Sequence, residues 1–161
     1  MLFNKDKTCC FTGHRDLPSN QYQNIFQKTK ETIESFINKG YRFFCAGGAL
    51  GFDTLAALAV LQLKERYPDI RLILVLPCLS QAKRWSKEDV DIYESIKRQA
   101  DQIIYTSKEY TRGCMHKRNR HLVDNSSACI SFLTESKGGT AYTVDYAKKH
   151  GLSVINIADL L

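Results

Sequence analysis

"FCAGGALGFDTLAALAVLQLKERYPDIRLILVLP" (residues 44–77) holds in one run the pieces that decide the fold. It begins as the apolar end of a strand and passes three glycines, Gly47, Gly48 and Gly51. A largely apolar helix follows, stops near Pro68, and gives way to the run "IRLILVLP". After Arg71 this run is apolar without interruption and has no wet face, so it reads as an interior strand of a parallel sheet covered on both sides. Strand, glycine loop, helix and strand together form one βαβ unit.

The alternation continues in both directions. Upstream, "TCCFTGHR" is a short β-prone run ended by Gly13. The helix after it carries Ile25, Ile33, Phe36 and Ile37 on helical spacing, with Ser19 or Asn20 expected as N-cap and Gly40 as the stop. "YRFFCA" then starts the next strand. Downstream, "SKEDVDIYESIKRQA" opens with Ser86 and has Asp89 three residues on, a capping-box pattern, with Val90, Tyr93 and Ile96 on one face. "QIIYT" and "ACISFL" read as strands on either side of the basic segment "TRGCMHKRNRHLVDNS". "SKGGT" leads into the helix "AYTVDYAKKHG", and "LSVINI" closes the chain. Repeated βαβ units predict a doubly wound α/β fold, a single Rossmann-like domain over residues 1–161 with a mainly parallel sheet. Such sheets bind ligands outside the carboxyl ends of their strands.

Composition narrows the function classes. Hydrophobic residues make up 43% and charged residues 25% of the 161, which excludes a disordered or low-complexity chain. The longest apolar stretches are too short to cross a bilayer and "MLFNKDKT" lacks a signal peptide's apolar core, so the expectation is a cytoplasmic protein with no membrane partner. Of the six cysteines, Cys9, Cys10, Cys45 and Cys129 fall in strand-like apolar runs without CxxC spacing and read as small buried hydrophobes. Cys114 and His116 have ligand chemistry, but no second pair accompanies them, so no metal is expected. No cofactor is implied. A net charge of +6 favours anionic partners.

Three strand-to-helix loops stand out: "TGHR", "GGALGFD" and "SKGGT". Glycine there permits positive φ or close approach to the backbone, and the first amides of a helix lack internal partners, so phosphate oxygens can dock on them. Gly47, Gly48 and Gly51 read either as an anion cradle or as a tight turn with close helix packing. Asp53, in the first helical turn, either complements the helix dipole or accepts hydrogen bonds from ribose hydroxyls. Gly138, Gly139 and Thr140 form a second candidate cradle, with Lys137 as a mobile counter-charge. Gly13, His14 and Arg15 supply donors at the first loop, Arg15 with a fork suited to phosphate. In "MHKRNRHLVDNSS", Arg118 shares a helical face with His121 and Lys117 with Arg120. Asn119 could hydrogen-bond a base or sugar.

Taken together, "CCFTGHR", "AGGALGFD", "MHKRNRHLVDNSS" and "SKGGTAYTVDYAKKHG" resemble the YpsA-like branch of the SLOG superfamily in order and spacing. The DNA-processing Smf/DprA proteins of that superfamily carry "SGxAxGID" and "RNR" segments similar to "AGGALGFD" and "RNR" here. The resemblance implies a Rossmann-like fold that binds nucleotides or nucleotide-derived ligands, with Gly47, Gly48, Gly51, Asp53, Arg118, Asn119, Gly138, Gly139 and Thr140 as the pocket. It also implies a departure. The LOG-type phosphoribohydrolases of the superfamily have a glutamate where Thr143 stands, so cleavage of an N-glycosidic bond here would need Asp53, Asp124 or Asp145 instead.

Three readings follow. The first is binding or sensing of a nucleotide-derived small molecule, an NAD or ADP-ribose derivative or a mononucleotide. The second is an enzyme that hydrolyses or transfers at a nucleoside N-glycosidic bond. The third is single-stranded nucleic-acid binding, with Trp85 and Tyr110 as stacking platforms. Related folds often dimerise, so a second copy of the chain is a further candidate partner.

Overall fold

A computed structural model describes residues 4–161. Six strands, β1 (Thr8–Gly13), β2 (Phe43–Ala46), β3 (Arg71–Leu76), β4 (Gln102–Tyr105), β5 (Ala128–Phe132) and β6 (Ser153–Asn156), form one sheet. Five helices connect them: α1 (Tyr22–Asn38), α2 (Phe52–Lys64), α3 (Lys87–Gln99), α4 (Cys114–Asp124) and α5 (Gly139–Lys149). The strand order is β4-β3-β2-β1-β5-β6 and every pairing is parallel. The fold is the Rossmann-like α/β architecture that the alternating pattern predicts.

Strand alternation divides the core into two layers. On one face of the sheet, Cys9, Phe11, Phe44, Leu72, Leu74 and Ile130 pack with α1, α2 and α3. On the other, Cys10, Cys45, Ile73, Val75 and Cys129 pack with Leu122 and Val123 of α4 and Ala147 of α5. Helix α2 lies between α1 and α3 above the sheet, which is why its sequence is apolar nearly all round. All six cysteines are free and buried. Cys10 is in register with Cys45 on one side and Cys129 on the other, and burial pushes the Cys45 thiol well above its ordinary range. Among the described residues, no helix is long and apolar enough to cross a membrane.

Two helix starts differ in chemistry. Ser86 caps α3 as its sequence predicts, its hydroxyl accepting from the Asp89 N–H at 3.1 Å. Ser86→Ala should therefore cost about 1 kcal/mol, read as a fall of a few degrees in thermal midpoint. Neither Ser19 nor Asn20 caps α1. Ser19–Gln21 form a 3-10 turn, Gln21 occupies the cap position, and no side chain bonds to the helix amides. Backbone bonds from Gln21 N to Pro18 O and from Tyr22 N to Ser19 O do that work instead.

The topology also sets where a ligand can go. From β1 to β4 the chain steps outward in one direction, and α4 then carries it back across the sheet to β5, on the other side of β1. Right-handed crossovers put outbound and returning helices on opposite faces. The loops after β1 and β5 consequently diverge and leave a crevice between them.

Candidate functional site

That crevice is a cleft of about 300 Å³. Thr12, Gly13, His14 and Arg15 line it from β1, Ala49 and Asp53 from the second loop and α2, and Met115, Arg118 and Asn119 from α4. Glu135 and residues 137–140 close the side next to β5, and Gln81 reaches in from the connection after β3.

The three glycine loops do different jobs. Gly138 is the N-cap of α5 at φ 105°, with no side-chain cap. A Cβ added to Gly138 or Gly139 would meet nothing within 4 Å. The first turn of α5 therefore faces the cleft uncovered, with the partial positive charge of a helix start. The second loop is crowded. The first amide of α2, Phe52 N, donates to the His14 carbonyl at 3.1 Å, and a Cβ on Gly51 would lie 2.2 Å from the Arg15 carbonyl oxygen. Gly48 abuts Leu76 in the same sense, and a Cβ on Gly47 would intrude on the Arg118 guanidinium and the Asp53 carboxylate. The bare backbone of this loop makes room for the β1 loop and for Arg118, and its three glycines stand behind the cleft wall rather than on its surface.

His14 ties the cleft mouth together. Its backbone N–H donates to the Phe132 carbonyl (3.3 Å), and its Nε2 accepts from the Thr134 N–H (2.9 Å). The loops after β1 and β5 are thereby joined across the crevice by the His14 ring, whose Nε2 is the acceptor.

The electrostatic centre is a buried charge couple. Arg118 is 4% exposed and Asp53 6%. Arg118 Nη1 donates to the Gly47 carbonyl and Nε to Asn119 Oδ1 at 2.8 Å, while Asp53 Oδ2 accepts from the Ala49 N–H at 3.3 Å. Burial pushes the Asp53 carboxyl up to about 6, and the charges of Arg118 and Arg15 and the Ala49 amide offset that rise only in part. Burial likewise lowers Arg118, with Asp53 opposing. A raised carboxyl disfavours the charged folded form. Its stabilising contribution is complete below the ordinary value of 3.8 and is lost as the pH climbs through about 6.

The other basic side chains of α4 lie elsewhere. Lys117 is exposed, and Arg120 and His121 are half-buried on a different part of the helix surface. Asp124 accepts from the Tyr146 hydroxyl at 2.8 Å and Asp145 pairs with Lys149 at 3.0 Å, so of the three aspartates weighed for bond cleavage only Asp53 lines the cleft. Thr143 turns its hydroxyl to the Gly139 carbonyl at 2.9 Å. Cys114 is buried while His116 is exposed, and among the described residues no group of three or more His, Cys, Asp or Glu could hold a metal ion.

The model of the YspA SLOG family matches residues 9–158. The chain belongs to that family. An uncharacterized SPbeta prophage-derived protein, YoqJ, of Bacillus subtilis (strain 168) is 33% identical over 135 residues, 76% of this chain and 79% of the relative. A UPF0398 protein of Bacillus thuringiensis (strain Al Hakam) is 27% identical over 155 residues, 90% of this chain and 84% of the relative. Among solved structures, DNA processing protein A (DprA) of Streptococcus pneumoniae is similar with a TM-score of 0.66 and 16% identity, covering 93% of this chain and 50% of that one. DprA of Helicobacter pylori, described for its single-stranded DNA binding mode, gives 0.65 and 20%, covering 93% of this chain and 64% of that one. These likenesses show the fold. The chain spans half the length of one DprA and under two thirds of the other.

Several members of the cleft carry no glycine signature and escape a sequence reading. Gln81 comes from "PCLSQAKRWS", a connection without glycine. Thr12 is the last strand residue before Gly13. Met115 precedes Arg118 by three and Asn119 by four, the helical spacing that could have found it. Glu135 sits two residues before Lys137, inside the glycine loop's own neighbourhood.

Proposed function

We propose that the cleft binds a nucleotide-derived small molecule, with phosphate on the first turn of α5 and the sugar toward Asp53. The observation that carries this is the open, uncapped start of α5 within the same small cleft as a buried arginine. Main-chain amides and a helix start favour an anion, and Arg15 and Lys137, both exposed at the rim, add mobile positive charge. Asp53 suits ribose hydroxyls, since a carboxylate accepts hydrogen bonds and repels phosphate. A volume of about 300 Å³ lies at the small end of ligand sites and suits one nucleotide unit enclosed, with any remainder outside. Titration calorimetry against ADP-ribose, NAD and mononucleotides tests the reading. Saturable heat with at least one supports it, and silence with all of them overturns it.

The Asp53 carboxyl gives the binding a pH signature. Below about 6 it is neutral and above about 6 it is negative, so ADP-ribose, whose diphosphate charge is constant in this range and whose ribose hydroxyls donate to the charged carboxylate, should bind more tightly as the pH rises from 5 to neutrality. The expected gain is about five- to tenfold. Asp53→Asn should flatten the profile, and equal slopes in wild type and variant would contradict this placement of the sugar.

The same carboxyl motivates a second reading, hydrolysis or transfer at an N-glycosidic bond. A buried acid that exchanges its proton near neutrality can serve as general acid or base. Chromatography for free base released from nucleotides decides it, and absence of base from every nucleotide tried removes it.

A further inference from the structure

Thr12 carries a buried hydroxyl that bonds to nothing in the protein. Among the buried serines and threonines of the described residues, Thr8, Thr29, Thr32, Ser126, Ser131 and Thr143 each donate to a main-chain carbonyl at 2.6–3.5 Å. Thr12 is the exception. It is 6% exposed, has no hydrogen-bond partner among the described residues, and lines the cleft. A buried hydroxyl left unpaired forfeits the bonds it had in water, so its place in a ligand cleft points to a partner that the ligand supplies.

The surroundings say what that partner is. Thr12 alternates with Phe11 along β1 and so shares the sheet face of Cys10, the face covered by α4 and α5. The residues next to Thr12 and Asp53 touch, since a Cβ on Gly13 would lie 2.5 Å from that of Phe52. Hydroxyl and carboxylate thus enter the cleft from adjoining backbone. Asn119 brings a third group. Its Oδ1 accepts from Arg118 Nε at 2.8 Å, and a guanidinium only donates, so the amide nitrogen with its two N–H donors is what Asn119 has left for a ligand.

At neutral pH, then, the carboxylate accepts, the amide donates and the Thr12 hydroxyl does both. A phosphate only accepts and is repelled by Asp53, so it does not complete this set. A vicinal diol does, because each of its hydroxyls donates and accepts at once. A site built around a hydroxyl also rejects the analogue that lacks it, since its own buried groups are then left unpaired.

We propose that Thr12, with Asp53 and Asn119, forms a cis-diol site that makes the cleft selective for ribose over 2-deoxyribose. This site rests on the function proposed above, which puts the sugar toward Asp53, and adds to it a residue and a sugar class.

Titration calorimetry with ADP-ribose, ribose 5-phosphate and 2-deoxyribose 5-phosphate tests it, with thermal unfolding alongside. Wild type should bind ribose 5-phosphate about tenfold or more tightly than the 2-deoxy sugar. Thr12→Val keeps the β-branched shape and deletes the hydroxyl, and should weaken ADP-ribose and ribose 5-phosphate by about tenfold. Thr12→Ser keeps the hydroxyl and should stay within about threefold of wild type. Because no protein group loses a partner, Thr12→Val should unfold at or above the wild-type midpoint. Equal wild-type affinity for the two sugar phosphates, undiminished binding by Thr12→Val, or a lower midpoint for that variant overturns the diol site. So does ADP-ribose binding without any binding of ribose 5-phosphate. In each of those cases bound ADP-ribose leaves the nucleotide reading of the cleft in place, whereas silence with all three ligands removes the diol site and counts against that reading too.

Discussion

Arg118→Met is expected to weaken ADP-ribose binding by about a hundredfold or more. A buried guanidinium that lines the cleft binds phosphate or sugar through charge-assisted hydrogen bonds in a site of low dielectric, where losing one such partner costs about 2–5 kcal/mol. The substitution also acts on its neighbours. The Gly47 carbonyl loses the donor it has in Arg118 Nη1, and an unsatisfied buried carbonyl costs about 1–3 kcal/mol. Asp53 loses its largest favourable charge and should titrate above the value of about 6 it has beside Arg118. Calorimetry reads the first effect and a carboxyl-carbon NMR titration of Asp53 the second. Arg118→Lys separates charge from shape: the ammonium preserves a positive charge but not the fork that serves Gly47 and Asn119 together. If Arg118→Met binds ADP-ribose as well as wild type, the guanidinium supports the wall and does not meet the ligand.

The largest stability loss should come from Gly51→Ala, about 3 kcal/mol or more and a thermal midpoint lower by about 10 °C. Two costs add at this residue. Its φ of 80° lies where side chains are strained, and the new Cβ would stand 2.2 Å from the Arg15 carbonyl oxygen and 2.5 Å from that of His14. Those obstacles are backbone and cannot rotate away. Moving them would pull the His14 carbonyl from the Phe52 N–H and open the β1 loop that lines the cleft. Gly139→Ala is the matched control, since that position is helical and nothing stands within 4 Å of its added Cβ. Thermal or urea unfolding should show it within about 0.5 kcal/mol of wild type. Equal losses at the two glycines would contradict the division of labour between the second and third loops.

This contrast explains how much could be read in advance. β3 is legible because an uninterrupted apolar run has few other homes than the middle of a parallel sheet, and Ser86 because a cap is a local device complete within four residues. The crevice between the loops after β1 and β5 follows from the element order once the strands are paired. Glycines are another matter. Sequence marks where a Cβ is missing but not what fills the space, and at Gly51 it is the Arg15 carbonyl, brought there by a different strand. Helical spacing groups Arg118 with His121, yet only packing against Gly47 draws Arg118 inside while His121 stays half-buried. Aromatic residues divide the same way. Trp85 packs edge-on against Tyr93 at 5.1 Å, beside the core, instead of offering a platform. His116 of α4 meets Tyr142 of α5 edge-on at 4.6 Å, a contact that no single-helix pattern connects.

The most direct test is an amide NMR titration of the ¹⁵N-labelled protein with ADP-ribose. The expected result is saturable shifts gathered at Gly13, His14 and Arg15 and at Gly138, Gly139 and Thr140, with the Asn119 side-chain amide moving on the same isotherm. The contrary result is saturable shifts that leave those amides still and gather on another part of the molecule, or no shifts with any nucleotide-derived ligand, and either would place the protein's chemistry outside this cleft.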